Sequence, residues 1–443
     1  MKNKNNAASF IFESITLTTN TGKAYGIGPL VMGYSYYEDI SKPFITANLN
    51  IVDSAINIIG SEEDGGITGG ESVEIKVKGP DEQTYTYNFI VYRVGDRMIS
   101  NKIQRYNIGL ISAEALTNEG RKVSNTQEGY PHEIVESILT EFLDTDKEVT
   151  SDPSQNRLKV IPSGKSPFSV IASIQDKTLL SKSSSAEQSS QSGEFLSGSA
   201  GYFFFENHNG YNFRSIDSLC DLQGKFGNQQ TEVKTFIDSA AEDSYDDTIL
   251  SVQFLGEINL MEGLRLGAYA SKAAFYNMST GEYEQKIFSA KKSFENQAHL
   301  GAQDTLNPEQ ERLSDYPTRQ ISAIIDHETF YSGQDSASPN GSGDNQLLDW
   351  SRDVICQSIS RNYLLNTQGL RIEVPGNLDL VVGDKVRVLL PNSSNQEDRK
   401  NNSVDRLNSG YYLVTQISRA FAVSNMQVRT SLRLQRDSLG MVE

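Results

Sequence analysis

Two histidine–acid clusters are the first places in this sequence where residue type and spacing suggest chemistry. His132-Glu133-Ile134-Val135-Glu136 opens like the helix of a zinc protease. There, two imidazoles one turn apart hold the metal and the glutamate between them polarises a water. Here the second imidazole position holds Glu136, so the metal-binding pair is incomplete. His327-Glu328-Thr329-Phe330-Tyr331 fails at the same position. Gly164-Lys165-Ser166 resembles the end of a phosphate-binding loop, but the first glycine of that motif would fall on Lys159. Pro167 marks Ser166 instead as the N-cap of a helix. The four histidines (His132, His208, His299, His327) include no pair with metal-ligand spacing, and no serine sits in a Gly-x-Ser-x-Gly elbow. Asp335 to Asp344 is acidic but lacks the alternating oxygens of a calcium loop. Among 57 acidic residues nothing marks one hydrolytic pair above the rest. The sequence therefore assigns no catalytic, cofactor-binding or metal-ligating residue, requires no cofactor, and is read as non-enzymatic.

Composition narrows the class. At 443 residues the chain exceeds one compact core, and 37% hydrophobic residues is a globular proportion. A net charge of -17 argues against a nucleic-acid-binding surface, which carries a basic footprint. Two distant cysteines, Cys220 and Cys356, read as buried thiols of a chain folded in a reducing cytosol. Residues Met1 to Phe12 contain no apolar run of a secretory leader. The longest uncharged apolar stretch, Ala24 to Tyr37, is too short to cross a membrane, so no membrane insertion is expected.

The elements that would hold a site are strands in the first 118 residues. Ser14–Thr18, Ile45–Ile51, Val73–Val77 and Tyr85–Val91 alternate apolar and polar, and Gly65–Gly70 is a turn signal. From 119 to 225 the period changes. Pro131 opens a helix with Ile134, Val135, Ile138, Leu139 and Phe142 on one face, and Pro167 opens another with Phe168, Ile171 and Ile174. Within 181–199, nine of nineteen residues are serine, which predicts a mobile loop that proteases cut first. A hairpin from Gly201 to Ile216 turns at Asn207-His208-Asn209-Gly210. Residues 226–290 alternate again. Residues 291–365 read as inserted loops and a helix from Gln346 to Leu364, with Leu347, Trp350, Val354, Ile355 and Ile359 on its buried stripe. Residues 366–443 return to strands.

One pattern occurs twice. Gly70-Glu71-Ser72-Val73-Glu74-Ile75-Lys76-Val77 and Gly383-Asp384-Lys385-Val386-Arg387-Val388-Leu389-Leu390 both read Gly-acid-x-Val-x-aliphatic-x-aliphatic. Each precedes an aromatic-rich strand (Tyr85–Val91, Tyr411–Ile417) and a closing strand (Tyr106–Ala113, Val428–Leu434). The shared order predicts that one β-unit is duplicated within the chain.

Three stretches carry a family resemblance. Glu38–Pro43 running into Ile45–Ser54 resembles the first tube-like domain of baseplate hub proteins of contractile-tailed bacteriophages. Tyr202–Glu206 with Tyr211–Asp217 resembles the aromatic hairpin of that family. Val374–Leu378, Val382–Val386, Ser409–Thr415 and Arg436–Ser438 resemble its second tube-like domain. The hub part of type VI secretion spike proteins is similar more distantly. The expected fold is α+β, mainly β. Two similar tube-like β-barrel domains (1–118, and 226–290 with 366–443) join an α/β outer region (119–225 with 291–365). The resemblance implies a ring-shaped homotrimer that adapts a hexameric tail tube to a trimeric central spike.

It further implies contacts with the tail tube protein, the central spike protein and other baseplate or wedge proteins. DNA would pass through the channel without specific binding. The place of action would be the virion tail baseplate, assembled in the host cytoplasm. The chain ends at Glu443 without a fused spike or lysozyme domain, which favours a separate phage hub. The competing readings are the hub of a bacterial contractile injection system, a tail-associated receptor- or glycan-binding protein, and a cell-wall hydrolase carried on the tail.

Overall fold

The computed structural model describes residues 8–442 except 55–57, 61–65, 102, 181–198, 227–232, 239–246, 257–258, 279–280, 282, 295–296, 305–310, 326–330, 333–343 and 393–403. The serine-rich segment, His327 and most of Asp335–Asp344 thus lie outside the described residues.

The chain opens with β1 (Ile11–Thr18), β2 (Ala24–Gly26), β3 (Val31–Asp39), β4 (Thr46–Asp53), β5 (Ser72–Lys78), β6 (Thr84–Ser100) and β7 (Ile103–Ile111), then α1 (Ala113–Gly120). Next come β8 (Gln127–Gly129), α2 (Pro131–Leu143), β9 (Val149–Ser151), β10 (Asn156–Val160), α3 (Pro167–Gln175), β11 (Leu179–Leu180) and β12 (Ser199–Ala200). The hairpin β13 (Tyr202–Asn207) and β14 (Gly210–Ser215) leads into α4 (Ile216–Cys220). Then follow β15 (Lys234–Ile237), β16 (Ser251–Leu255), α5 (Leu260–Leu266), β17 (Ala270–Asn277), β18 (Tyr283–Ser289), α6 (Ala290–Phe294), β19 (Arg319–Ile325), β20 (Tyr331–Ser332) and α7 (Asp344–Leu364). The last strands are β21 (Gln368–Pro375), β22 (Lys385–Leu389), β23 (Gly410–Ala422) and β24 (Gln427–Arg436).

The fold is mainly β with helices. One 13-stranded sheet runs through both ends of the chain in the order β16-β21-β24-β23-β3-β4-β7-β6-β5-β1-β2, with β22 and β15 branching from β23. The sequence repeat reappears in the pairing. β5-β6-β7 and β22-β23-β24 are antiparallel meanders, flanked by β4 and by β21 respectively. Both carry a register shift at the same place, across Tyr92 on β6 and across Thr415 on β23.

The repeated octets explain how each meander starts. Gly70 and Gly383 have φ of 93° and 97°, a region open to glycine, and their amides donate to Val91 O and Val414 O. The following acid folds back on the loop: Glu71 Oε1 accepts from the Thr68 amide and Asp384 Oδ2 from the Val381 amide, three residues upstream in each case. The motif is thus a turn cap that fixes strand register.

Three cores result. Leu17, Leu49, Ile75 and Ile108 centre the first; Ile372, Val386, Val414 and Leu432 centre the second. The third packs α2 and α3 against the hairpin through Val135, Ile138, Ile171 and Phe213. It also takes in Ala273 and Phe288, which corrects one expectation. The sequence groups 226–290 with the second β-unit; β15 and β16 do join its sheet, yet β17 and β18 pair with β19 in a separate one. Period-two alternation buries a face but does not name the partner. Ser166 occupies the N-cap of α3, but its Oγ meets Ser169 Oγ at 2.8 Å and makes no bond to the helix backbone. On α7, Val354 is buried as expected, while Ile359 is only half-buried and Ser358, Ser360 and Arg361 are buried. Both cysteines are buried.

Candidate functional site

The feature that organises the molecule is the seam where the two meanders meet. Beyond its bulge, β23 stays paired with β24 and also takes β3 on its other side, from Gln416 opposite Asp39 to Ala422 opposite Gly33. Tyr34 and Phe421 meet there with ring centroids 4.8 Å apart, and the Arg419 guanidinium lies 5.5 Å from the Tyr36 ring centroid. Arg419 is fully buried; its Nη2 donates to the carbonyls of Leu380 and Asn377.

Glu38, also buried, draws the α/β region into the same junction. Its Oε1 accepts from Tyr36 Oη at 2.6 Å and from the His208 amide at 2.9 Å; its Oε2 accepts from the Val382 amide at 2.8 Å. One carboxylate therefore ties β3, the loop before β22 and the turn of the β13–β14 hairpin. Burial raises the Glu38 carboxyl, against the lowering effect of Arg419 and these donors. His208 packs on the Tyr87 ring, and burial, helped by Arg419, lowers it to about 4. Burial pushes Tyr87 up to about 12.

A second buried cluster locks α7 to Asp437, the residue that follows the last strand. Arg361 donates to Asp437 Oδ2 and to Asp217 Oδ1, each at 2.8 Å, and to Ala298 O at 2.9 Å. His299 meets Asp437 through Nδ1 and the Phe294 carbonyl through Nε2. Burial acts to raise Asp437, but His299 and Arg361 hold it well below the usual carboxylate range. Nearby, Lys147 bridges Glu114 and Glu206 at 2.6 and 2.7 Å, and Asp152 accepts from Ser215 and Ser218.

These side chains point into protein, so each acid is engaged by neighbouring donors rather than aimed at a substrate. His132 Nδ1 meets Ser154 Oγ at 2.7 Å, and among the described residues no second histidine joins it. A shallow depression lined by Glu148, Thr150 and Asn209–Asn212 holds one carboxylate and no imidazole, thiol or amine side chain. Among the described residues no group of His, Cys, Asp and Glu could hold a metal ion, and no helix is long and apolar enough to cross a membrane. Sequence reading missed Arg361, Arg419, Glu38 and Asp437. The signal available for two of them was position alone: Glu38 and Asp437 fall inside the stretches that carried the family resemblance.

No family model matches the sequence, and no curated protein matches it. Solved structures do. A tail protein from Neisseria meningitidis MC58 superposes with a TM-score of 0.53 at 11% identity, covering 97% of each chain. The 43 kDa tail protein of prophage MuSo2 from Shewanella oneidensis gives 0.48 at 8% identity, covering 96% of this chain and 99% of that one. The E. coli c3393 protein, a type VI secretion component, gives 0.43 at 10% identity over 97% of this chain and 77% of that one. The chain has the fold of the Neisseria tail protein, and its structural neighbours are phage tail proteins and a type VI secretion component.

Proposed function

We propose that this chain is the structural hub of a contractile phage-tail baseplate, a homotrimer that adapts a hexameric tail tube to a trimeric central spike. The observation that supports this most is the second copy of the β-meander on one chain, joined edge to edge with the first. Three chains with two copies each present six quasi-equivalent units on a threefold axis, which is what a six-to-three adaptor requires. The fold shared with a tail protein fits the same role. The α/β region, held outside the meanders, contacts other baseplate proteins. The protein has no catalytic, cofactor or metal site, and it acts in the virion tail after assembly in the host cytoplasm. With -17 per chain, part of the acidic charge faces the channel and keeps DNA mobile by repulsion rather than binding it.

Light scattering on the purified protein should give about 147 kDa, three times the 49.1 kDa chain, and class averages should show a threefold ring. A stable monomer at tens of micromolar, or tight duplex-DNA binding at 150 mM salt, would count against this function.

A further inference from the structure

The two meanders differ at one edge. Past its bulge, β23 is paired on both sides, to β24 and to β3. Past the equivalent bulge, β6 pairs with β7 on one side, and among the described residues no strand lies on the other. β16 ends the large sheet: it is bonded to β21, and among the described residues no strand covers its far edge. Yet β16 stands to β21 as β3 stands to β4. The chain contains one completed seam and both halves of a second, left open.

The correspondence runs residue by residue. Ala47 pairs with Leu110 as Leu370 pairs with Leu434; opposite Ala47 is Tyr36, and opposite Leu370 is Phe254. Two places along, Tyr34 corresponds to Val252. On the facing strand, β7 and β24 set the frame. Asn107 pairs with Gly95 as Ser431 pairs with Ser418, and Gln104 pairs with Ile99 as Val428 pairs with Phe421. Ile99 thus corresponds to Phe421, and Asp96-Arg97, at a second bulge, stands where Arg419 stands. In the completed seam Tyr34, Tyr36, Arg419 and Phe421 are buried. In the open halves Phe254 is 59% exposed, Ile99 65% and Met98 69%.

We propose that β16 of one chain docks antiparallel on the outer edge of β6, residues 93–100, of a second copy. Val252 faces Ile99 and Phe254 lies under Arg97, as Tyr34 and Tyr36 face Phe421 and Arg419 within the chain. An open apolar edge is a surface that soluble proteins cover, and the chain itself shows which strand fits it. The contact is head-to-tail, so its repetition closes a ring in which intrachain and interchain seams alternate. This inference rests on the threefold reading above and adds which edges meet.

The test is a cysteine pair, Ile99→Cys with Val252→Cys, oxidised mildly; directly opposed antiparallel residues lie within disulfide reach. Non-reducing denaturing gels should show two- and three-chain species, and neither single variant should give the three-chain band. In parallel, Ile99→Lys should reduce the solution mass threefold with the chain still folded by circular dichroism. A trimer that neither cross-links nor dissociates with Ile99→Lys overturns this seam and leaves the threefold reading standing. A wild-type monomer without cross-linking overturns both. Cross-linked ladders beyond three chains support the seam and overturn the threefold ring.

Discussion

The two meanders share strand order, bulge and turn cap, yet they treat the same positions in opposite ways. In the second, the outer half of β23 carries Arg419 and Phe421 into a buried junction. In the first, the outer half of β6 carries Arg97 and Ile99 into solvent. A duplicated unit thus keeps its backbone plan while each copy's edge answers to what lies beside it. Local pairing rules set the strand; the neighbour decides whether a cation on it is structural.

The contrast is broken most strongly at the two arginines. Arg419→Ala removes the cation above Tyr36 and leaves the Leu380 and Asn377 carbonyls short of a donor. It should cost about 3 kcal/mol or more in urea unfolding. Arg97→Ala, placed in a chain held monomeric by Ile99→Lys, should change stability by less than about 0.5 kcal/mol. Equal losses would show that the two edges are not as different as their burial.

The turn glycines sharpen the comparison at a smaller scale. Alanine at either position meets backbone strain of about 1–3 kcal/mol. A Cβ on Gly383 would also sit 3.0 Å from the Phe205 ring, whereas on Gly70 the nearest atom is Asn20 Oδ1 at 3.5 Å. Gly383→Ala should therefore lower the melting temperature more than Gly70→Ala.

A further difference is in pH. Burial raises the Asp384 carboxyl to about 6, partly offset by the Val381 amide. Its folded value lies above the unfolded one, so the folded state holds the proton more tightly. Its contribution to stability is then fully present below about pH 4 and falls as pH rises to 6, by roughly 2 kcal/mol. Asp384→Asn should flatten that part of the stability profile, measured by denaturant unfolding between pH 4 and 6. An unchanged slope would place the titration elsewhere.

The meanders were legible in the sequence because their signals are local. A glycine at positive φ, an acid that caps the loop behind it and alternating aliphatics leave a fixed spacing in the chain. The junction was not legible, for a physical reason: Arg361, Arg419 and Asp437 are charged, and charge in a sequence ordinarily marks surface. Only the convergence of distant segments, such as residues 217, 299, 361 and 437, supplies the partners that make burial tolerable. The strand β3 was hidden differently. Most of it lies within the uncharged run from Ala24 to Tyr37, where large apolar or aromatic residues occupy both the buried face (Tyr34, Tyr36) and the exposed one (Met32, Tyr37) and mask the alternation.

The outer half of β23 is held by β24 on one side and by β3 on the other, so one continuous sheet joins the two meanders, and this has a mechanical consequence. There is no linker at which the two halves could pivot: their relative angle is set by one continuous backbone and the run of ladder bonds from Gln416 to Ala422. Bending the chain there requires breaking those bonds together, and pulling along the strands loads them in shear. For the hub proposed above, that stiffness would carry an axial load across the junction, whereas two copies of the unit joined by a flexible tether would take it up in the joint.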